Sequence, residues 1–304
     1  MSLSFPNEHQ NTLERAKDAF TTQNYQACLQ ALHQLVPESL GETEQKMIVS
    51  CQLALGEYEA ALTYMKKHPE LLTTKEMYAN YLQALCMTYR FLDAWFVSCA
   101  LDDVSLQQKV LEMENAYLQF HPEQKIKKER ELLDLSQGKR QTKNWLAFLD
   151  GLTSQQAKAL LPALLVYQTQ TQAQLKSKAA ELLVKLNETR HLDVTHPLTM
   201  KVHRVAFSEL TTLEQSEQLQ VLDQTSLILA TQPQVLAATV TEIRAHWAYL
   251  YPFLPEVTQV KQWIDVYALD YKILETHPKE TQTASAKNIQ EIKEMIRLKF
   301  SLFS

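Results

Sequence analysis

Apolar residues recur along most of the chain at three- and four-residue spacing, the period of one helical face. Leu13, Ala16, Ala19 and Phe20 form the first such stripe and predict a helix from about Glu8 to Thr22. Asn24 follows as a turn or cap residue. Leu29, Leu32 and Leu35 mark a second helix, ended by Pro37, whose ring cannot continue the helical ladder. The alternation continues with helices expected over 42–55, 58–67, 74–88 and 91–101, interrupted at Gly56 and Pro69. Residues 1–7 read as a loose leader.

A longer period overlies this one. An aromatic stands at Tyr25, Tyr58 and Phe91, and a small residue at Cys28, Ala61 and Ala94; both series step by 33. A fixed step of this size marks a helical repeat array. No single pair can bury its apolar faces alone, so neighbours must stack. The fullest copy is Gly56-Glu57-Tyr58-Glu59-Ala60-Ala61-Leu62.

These units resemble tetratricopeptide repeats. Tyr58 falls on the family's aromatic near the start of helix B, Gly56 on its turn glycine, and Ala61 on the small residue where helices A and B cross. The departures are Ala16, Val49 and Leu82 at the small position of helix A, the early Pro37 and Pro69, and Tyr89 in place of a turn glycine. The resemblance covers about residues 8–103. Val104–Phe120 and Glu123–Leu135 would form a divergent fourth unit, with Lys127 at its crossing position. The polar run Gln137–Lys143 then reads as a boundary. Two regions are expected: repeat units over 8–136 and an atypical repeat-like or HEAT-like helical region over 144–304. The latter should hold helices near 144–150, 153–168, 170–188, 197–211, 214–231, 233–251, 255–275 and 284–302. No strand is expected, because β-branched alternation never lasts four residues between turn clusters. The implied fold is all-α: a right-handed superhelix of antiparallel helix pairs with a divergent helical C-terminal half. This layout also resembles that of uncharacterised bacterial proteins carrying the same repeat.

Composition narrows the chemistry. Of 304 residues 45% are apolar, enough for a full core, and only four are glycine. With so few glycines, strand bulges and glycine-rich phosphate cradles have no basis. The net charge of −5 offers no basic face for nucleic acid. The longest apolar run, Ala159 to Tyr167, carries Pro162 and is too short to span a bilayer. The first residues lack the pattern of a signal peptide. Cys28, Cys51, Cys86 and Cys99 lie in apolar stretches without CxxC spacing and read as reduced core thiols. A cytoplasmic protein without nucleic-acid or membrane partners is expected.

No motif carries catalysis, and no cofactor is expected. Four His-Pro pairs, at His68, His121, His196 and His277, read as helix stops. His191, His196 and His203 are the only candidate metal set, with His196, Met200 and His203 sharing a face of the expected 197–211 helix. The basic run from Lys125 to Lys143, including Lys127, Lys128, Arg130, Lys139 and Arg140, reads as solvated. Trp247, Tyr249, Tyr251, Phe253, Trp263, Tyr267 and Tyr271 read as core of the second region. The last helix, Ile289 to Phe303, should bury Ile292, Met295, Ile296 and Phe300 as a cap.

The repeat resemblance implies a concave groove lined by the A helices. Carried onto this chain, its groove positions are Lys17 and Phe20; Lys46, Ser50 and Leu53; Ala79, Asn80, Gln83 and Met87; and Lys109, Glu112 and Met113. Lys46, Asn80 and Lys109 match the pattern by which one subclass grips a peptide's terminal carboxylate, while Ser50 and Met113 depart from it. The expected function is non-catalytic: binding of a peptide or partner segment in this groove. A peptide-sensing receptor without a DNA-binding domain is the alternative, and a metal-dependent enzyme built on His191–His203 the remote one. The identity of the partner and the oligomeric state stay open at this point.

Overall fold

The computed structural model describes residues 6–137, 144–166, 173–226, 233–271 and 284–301. It is predominantly helical and divides into two compact units. The first comprises Met1–Lys125 with Leu149–Ser154, the second Ile126–Phe148 with Gln155–Ser304. Among the described residues no helix is long and apolar enough to cross a membrane.

The first unit contains α1 (Pro6–Thr21), α2 (Tyr25–Leu32), α3 (Glu42–Ala54), α4 (Tyr58–Lys67), α5 (Lys75–Met87), α6 (Phe91–Ala100) and α7 (Val104–Phe120). Its helix pairs close by one device used three times. Gln23, Gly56 and Tyr89 adopt left-handed backbone, with φ of 59°, 77° and 61°. Each donates to the carbonyl three residues back. The next residue donates five back, from Asn24 to Ala19, Glu57 to Gln52 and Arg90 to Leu85, each at 2.8 Å. This is the Schellman closure, which satisfies the helix's last carbonyls and turns the chain sharply. The aromatic that follows each turn opens the next helix, and Cys28, Ala61 and Ala94 are fully buried where the paired helices meet.

Helix starts are equally local. Asn24 accepts from the Ala27 amide, Thr74 from Met77, and Asp103 from Ser105 and Leu106. The first helices pack around Ala16, Cys28, Leu32, Ile48 and Cys51. A second cluster, including Leu62, Leu82, Phe91 and Val110, joins α3 through α7. Helix α3 packs on α5 as well as α4, and α5 on α7 as well as α6. At the unit's other chain segment, Gly151 donates to Tyr89 O (3.1 Å). The buried Glu114 carboxylate accepts from the Ser154 amide (2.8 Å) and hydroxyl (2.7 Å).

The second unit takes up most of α8 (Glu123–Ser136) and continues with α9 (Asn144–Leu149), α10 (Ser154–Leu160), α11 (Pro162–Leu165) and α12 (Ala173–Lys185). A β-hairpin follows, β1 (His191–Thr195) antiparallel to β2 (Val202–Ala206), then α13 (Glu217–Ser226), α14 (Pro233–Leu250), α15 (Val260–Ala268) and α16 (Ala284–Ser301). Helix α12 is buried on most of its circumference and packs against α11 and α14.

Four expectations are corrected here. The helix expected over 197–211 is replaced by the hairpin, within an architecture that is otherwise helical among the described residues, consistent with the expected all-α class. His191 pairs with Ala206 and Thr195 with Val202, while Met200, at φ 56°, turns the chain between the strands. The Asp193–Arg204 pair (3.1 Å) supports the strands directly across the register. The helix expected over 153–168 breaks at Pro162 into α10 and α11. Lys128 is not solvated: it is buried, and its Nζ donates to Phe148 O (2.7 Å) beside Glu131 (3.2 Å). Finally, α16 buries Ala286, Ile289, Lys293 and Ile296, whereas Met295 is exposed.

Trp247, Tyr249, Tyr251, Trp263 and Tyr267 are buried, as expected of a core, with the Trp263 and Tyr267 rings stacked at 5.7 Å. The Tyr271 and Phe300 side chains lie outside the described residues, as do residues 138–143 of the expected boundary.

Candidate functional site

The groove residues carried over by resemblance fall on α1, α3, α5 and α7, and their surroundings differ. Lys17 on α1 is exposed, its Nζ 3.5 Å from Glu44 of α3. Lys46 contacts Glu42 one turn earlier on the same helix (2.5 Å). Both cations thus already face a carboxylate, so each offers a ligand less than a free ammonium would. Glu112 is exposed and accepts from Gln108 Nε2 (3.0 Å). Leu53 is buried in the core, and Phe20, Ala79 and Met113 pack half-buried against it.

Ser50 on α3, and Asn80 and Gln83 on α5, are half-buried. Among the described residues none of the three side chains has a hydrogen-bond partner, though each carries strong donors and acceptors. Lys109 on α7 is half-buried and has no carboxylate partner among the described residues. Asn80 and Gln83 are three residues apart and therefore share a face of α5. The structure thus sets Ser50, Asn80, Gln83 and Lys109 on α3, α5 and α7, the consecutive odd-numbered helices that pack on one another.

A feature that the sequence pattern does not signal lies on α4. Two shallow depressions of about 350 and 380 Å³ share Glu59 and Ala60. One extends over Thr63, Tyr64 and Lys67, the other to Gly56, Tyr58, Met87 and Tyr89. Met87, assigned to the groove, is thus at the chain-turn edge of the unit. Exposure of Met87 and Tyr89 follows from their place at a helix end, where periodicity stops carrying information.

Cys28, Cys51 and Cys86 are buried thiols. Burial pushes Cys51 up to about 12, with Cys28 alongside, and Cys86 up to about 12, reinforced by the Glu114 charge. A raised thiol stays protonated and is a poor nucleophile.

The three histidines singled out for metal are not one cluster. His191 sits at the open end of the hairpin and His203 opposite Val194. His196 and His203 do approach, with ring centroids 6.0 Å apart, and both rest against Phe253. His196 Nδ1 accepts from the Leu198 and Thr199 amides (3.2 and 3.3 Å), which leaves the proton of the neutral ring on Nε2. Burial and the neighbouring His203 lower the His196 pKa. His196 Nδ1 thereby caps the turn. Among the described residues no group of three or more His, Cys, Asp and Glu side chains could hold a metal ion.

A second polar constellation joins α14, α15 and α16. The Tyr267 hydroxyl and His246 Nδ1 share a hydrogen bond (2.5 Å). Arg297 makes two bonds to Glu242 (2.6 and 2.8 Å) and one ion pair to Asp270 (2.5 Å). Lys293, fully buried, contacts Asp270 (2.8 Å), Val266 O (3.1 Å) and the Tyr267 ring face (4.9 Å). Burial drives His246 down to about 4, against the opposing pull of Glu242, and drives Tyr267 up. Two cations here meet two carboxylates, so the charges balance. The arrangement fastens α16 to its neighbours.

No family model, no curated protein and no solved structure matches this chain.

Proposed function

We propose that the first unit is a tetratricopeptide-like solenoid that binds an extended peptide segment along α3, α5 and α7 and performs no chemistry. One observation carries this reading: Ser50, Asn80 and Gln83 are half-buried yet make no hydrogen bond with any described residue. Their polar heads reach solvent and spend no hydrogen-bonding capacity on the described residues, so they are open to an incoming backbone amide. Asn and Gln amides offer one acceptor and two donors each, the complement of a peptide unit. Lys109 adds a cation for an acidic side chain or terminal carboxylate. Two further features support the repeat reading: the threefold Schellman turn at a 33-residue step, and the stacking of each odd-numbered helix from α3 on the next. Lys17 and Lys46, already facing Glu44 and Glu42, hold shape and charge balance in this reading and do not grip the ligand.

The test is selection of peptides from a random display library on the wild-type chain and on an Asn80→Ala/Gln83→Ala variant. Wild type should enrich a peptide family whose affinity for the variant drops at least about tenfold, two lost hydrogen bonds at roughly 1 kcal/mol each. Equal binding of the same peptides by both proteins would sink the groove assignment.

A further inference from the structure

The larger depression on α4 brings Tyr58, Met87 and Tyr89 together with Glu57 and Glu59. Met87 is 45% and Tyr89 50% exposed, so both are open to a partner. Tyr89 is nonetheless held in place. Its ring lies 5.4 Å from that of Tyr117 and 6.5 Å from that of Phe91, and its carbonyl accepts from the Gly151 amide. Neither Glu57 nor Glu59 has a cation or a hydrogen-bond donor on its carboxylate among the described residues. Arg90, next to Tyr89 in the chain, is already spent on Asp93, to which it donates from Nε (2.9 Å) and Nη2. The depression is thus lined by two rings, a thioether and two carboxylates, and by no cation.

We propose that this depression seats an arginine side chain of a partner polypeptide, with the flanking segment running along α4. Charge complementarity selects that occupant. A guanidinium lays its flat face on a tyrosine ring while its fork of N–H groups reaches carboxylates. An apolar side chain would cover the rings but take the two carboxylates out of water with no partner. The depression is shallow, so a free small cation would keep much of its surface in water, whereas a side chain carried by a polypeptide is anchored by its neighbours. The adjoining depression shares Glu59 and Ala60 and continues over Thr63 and Tyr64 to Lys67. Lys67 has no carboxylate partner among the described residues. From Glu59 to Lys67 the helix rises about 12 Å, the span of about four residues of extended chain. The partner segment therefore carries an acidic residue about four positions from its arginine. This site is separate from the groove on α3, α5 and α7 and does not depend on it.

The experiment is selection of a random peptide display library on the intact chain carrying Asn80→Ala/Gln83→Ala, so that the groove makes no contribution. Arginine-containing peptides should be enriched. Their affinity should fall at least about tenfold when citrulline replaces the arginine, and by a similar factor when Glu57→Gln/Glu59→Gln is added to the protein, the loss of charge-assisted hydrogen bonds. Lys67→Gln should weaken only those peptides that also carry the acidic residue. Both glutamates and Lys67 are exposed, so these variants should melt with the parent protein. Selected peptides that lack arginine, that bind equally well with citrulline, or that ignore the glutamate substitutions would overturn the assignment, as would a library from which nothing is enriched.

Discussion

Gln23, Gly56 and Tyr89 share one backbone conformation, but only one of them is the residue that adopts it without strain. Gln23 is exposed and its side chain fixes nothing, so Gln23→Gly should raise stability by about 0.5–1 kcal/mol in denaturant melts. Ala61 is fully buried where α3, α4 and α5 converge, and Ala61→Leu should cost about 1–3 kcal/mol by overpacking. The first effect was hidden in the sequence, because glutamine at a turn carries no signal. The second was legible, because a small residue recurring at 28, 61 and 94 can be read by eye. His246 adds a pH effect. Its folded pKa of about 4 lies below the ordinary 6.5, so the unfolded chain binds more protons between those values. Stability contributed by the neutral ring is present above about pH 6.5 and lost as pH falls toward 4, by on the order of 3 kcal/mol. Comparing denaturation midpoints at pH 7 and 4.5 should show a steeper loss in wild type than in His246→Gln; parallel slopes would contradict this.

Among whole elements, α16 owes its place to charges as well as to apolar contact. Asp270→Asn leaves the buried Lys293 with only Val266 O and Gln290, whereas Lys293→Met leaves Asp270 still paired with Arg297. The aspartate change should therefore cost more, about 2 kcal/mol, and the methionine change little, because removing one partner strands a charge while an apolar replacement does not. Equal losses in urea midpoints would count against this account. Sequence periodicity located α16 and its inward Ile296, but set the face partly askew: Met295 is apolar and exposed, Lys293 is charged and buried. The hairpin was missed for a related reason. Each strand is five residues long, and its alternation is too brief to outweigh a helical reading of the stretch beyond Pro197.

For the molecule as a whole, the proposed groove makes a prediction about stability as well as binding. Ser50, Asn80 and Gln83 make no hydrogen bond among the described residues, so truncating Asn80 and Gln83 to alanine should shift unfolding by no more than about 0.5 kcal/mol each. A larger loss would mean that these side chains hold the fold and are not reserved for a ligand. The sequence by itself determined the alternation of helices and turns in the first unit. Stripes, caps and Schellman closures are settled within six residues, and the 33-residue step repeats them. Only tertiary structure decided which polar groups would be enclosed and with whom. Lys128 finds Phe148 and Lys293 finds Val266 across 20 and 27 residues of chain. Lys17 and Lys46 meet glutamates. A side chain's charge is written locally, but its desolvation and its partners depend on helices brought together from distant parts of the chain.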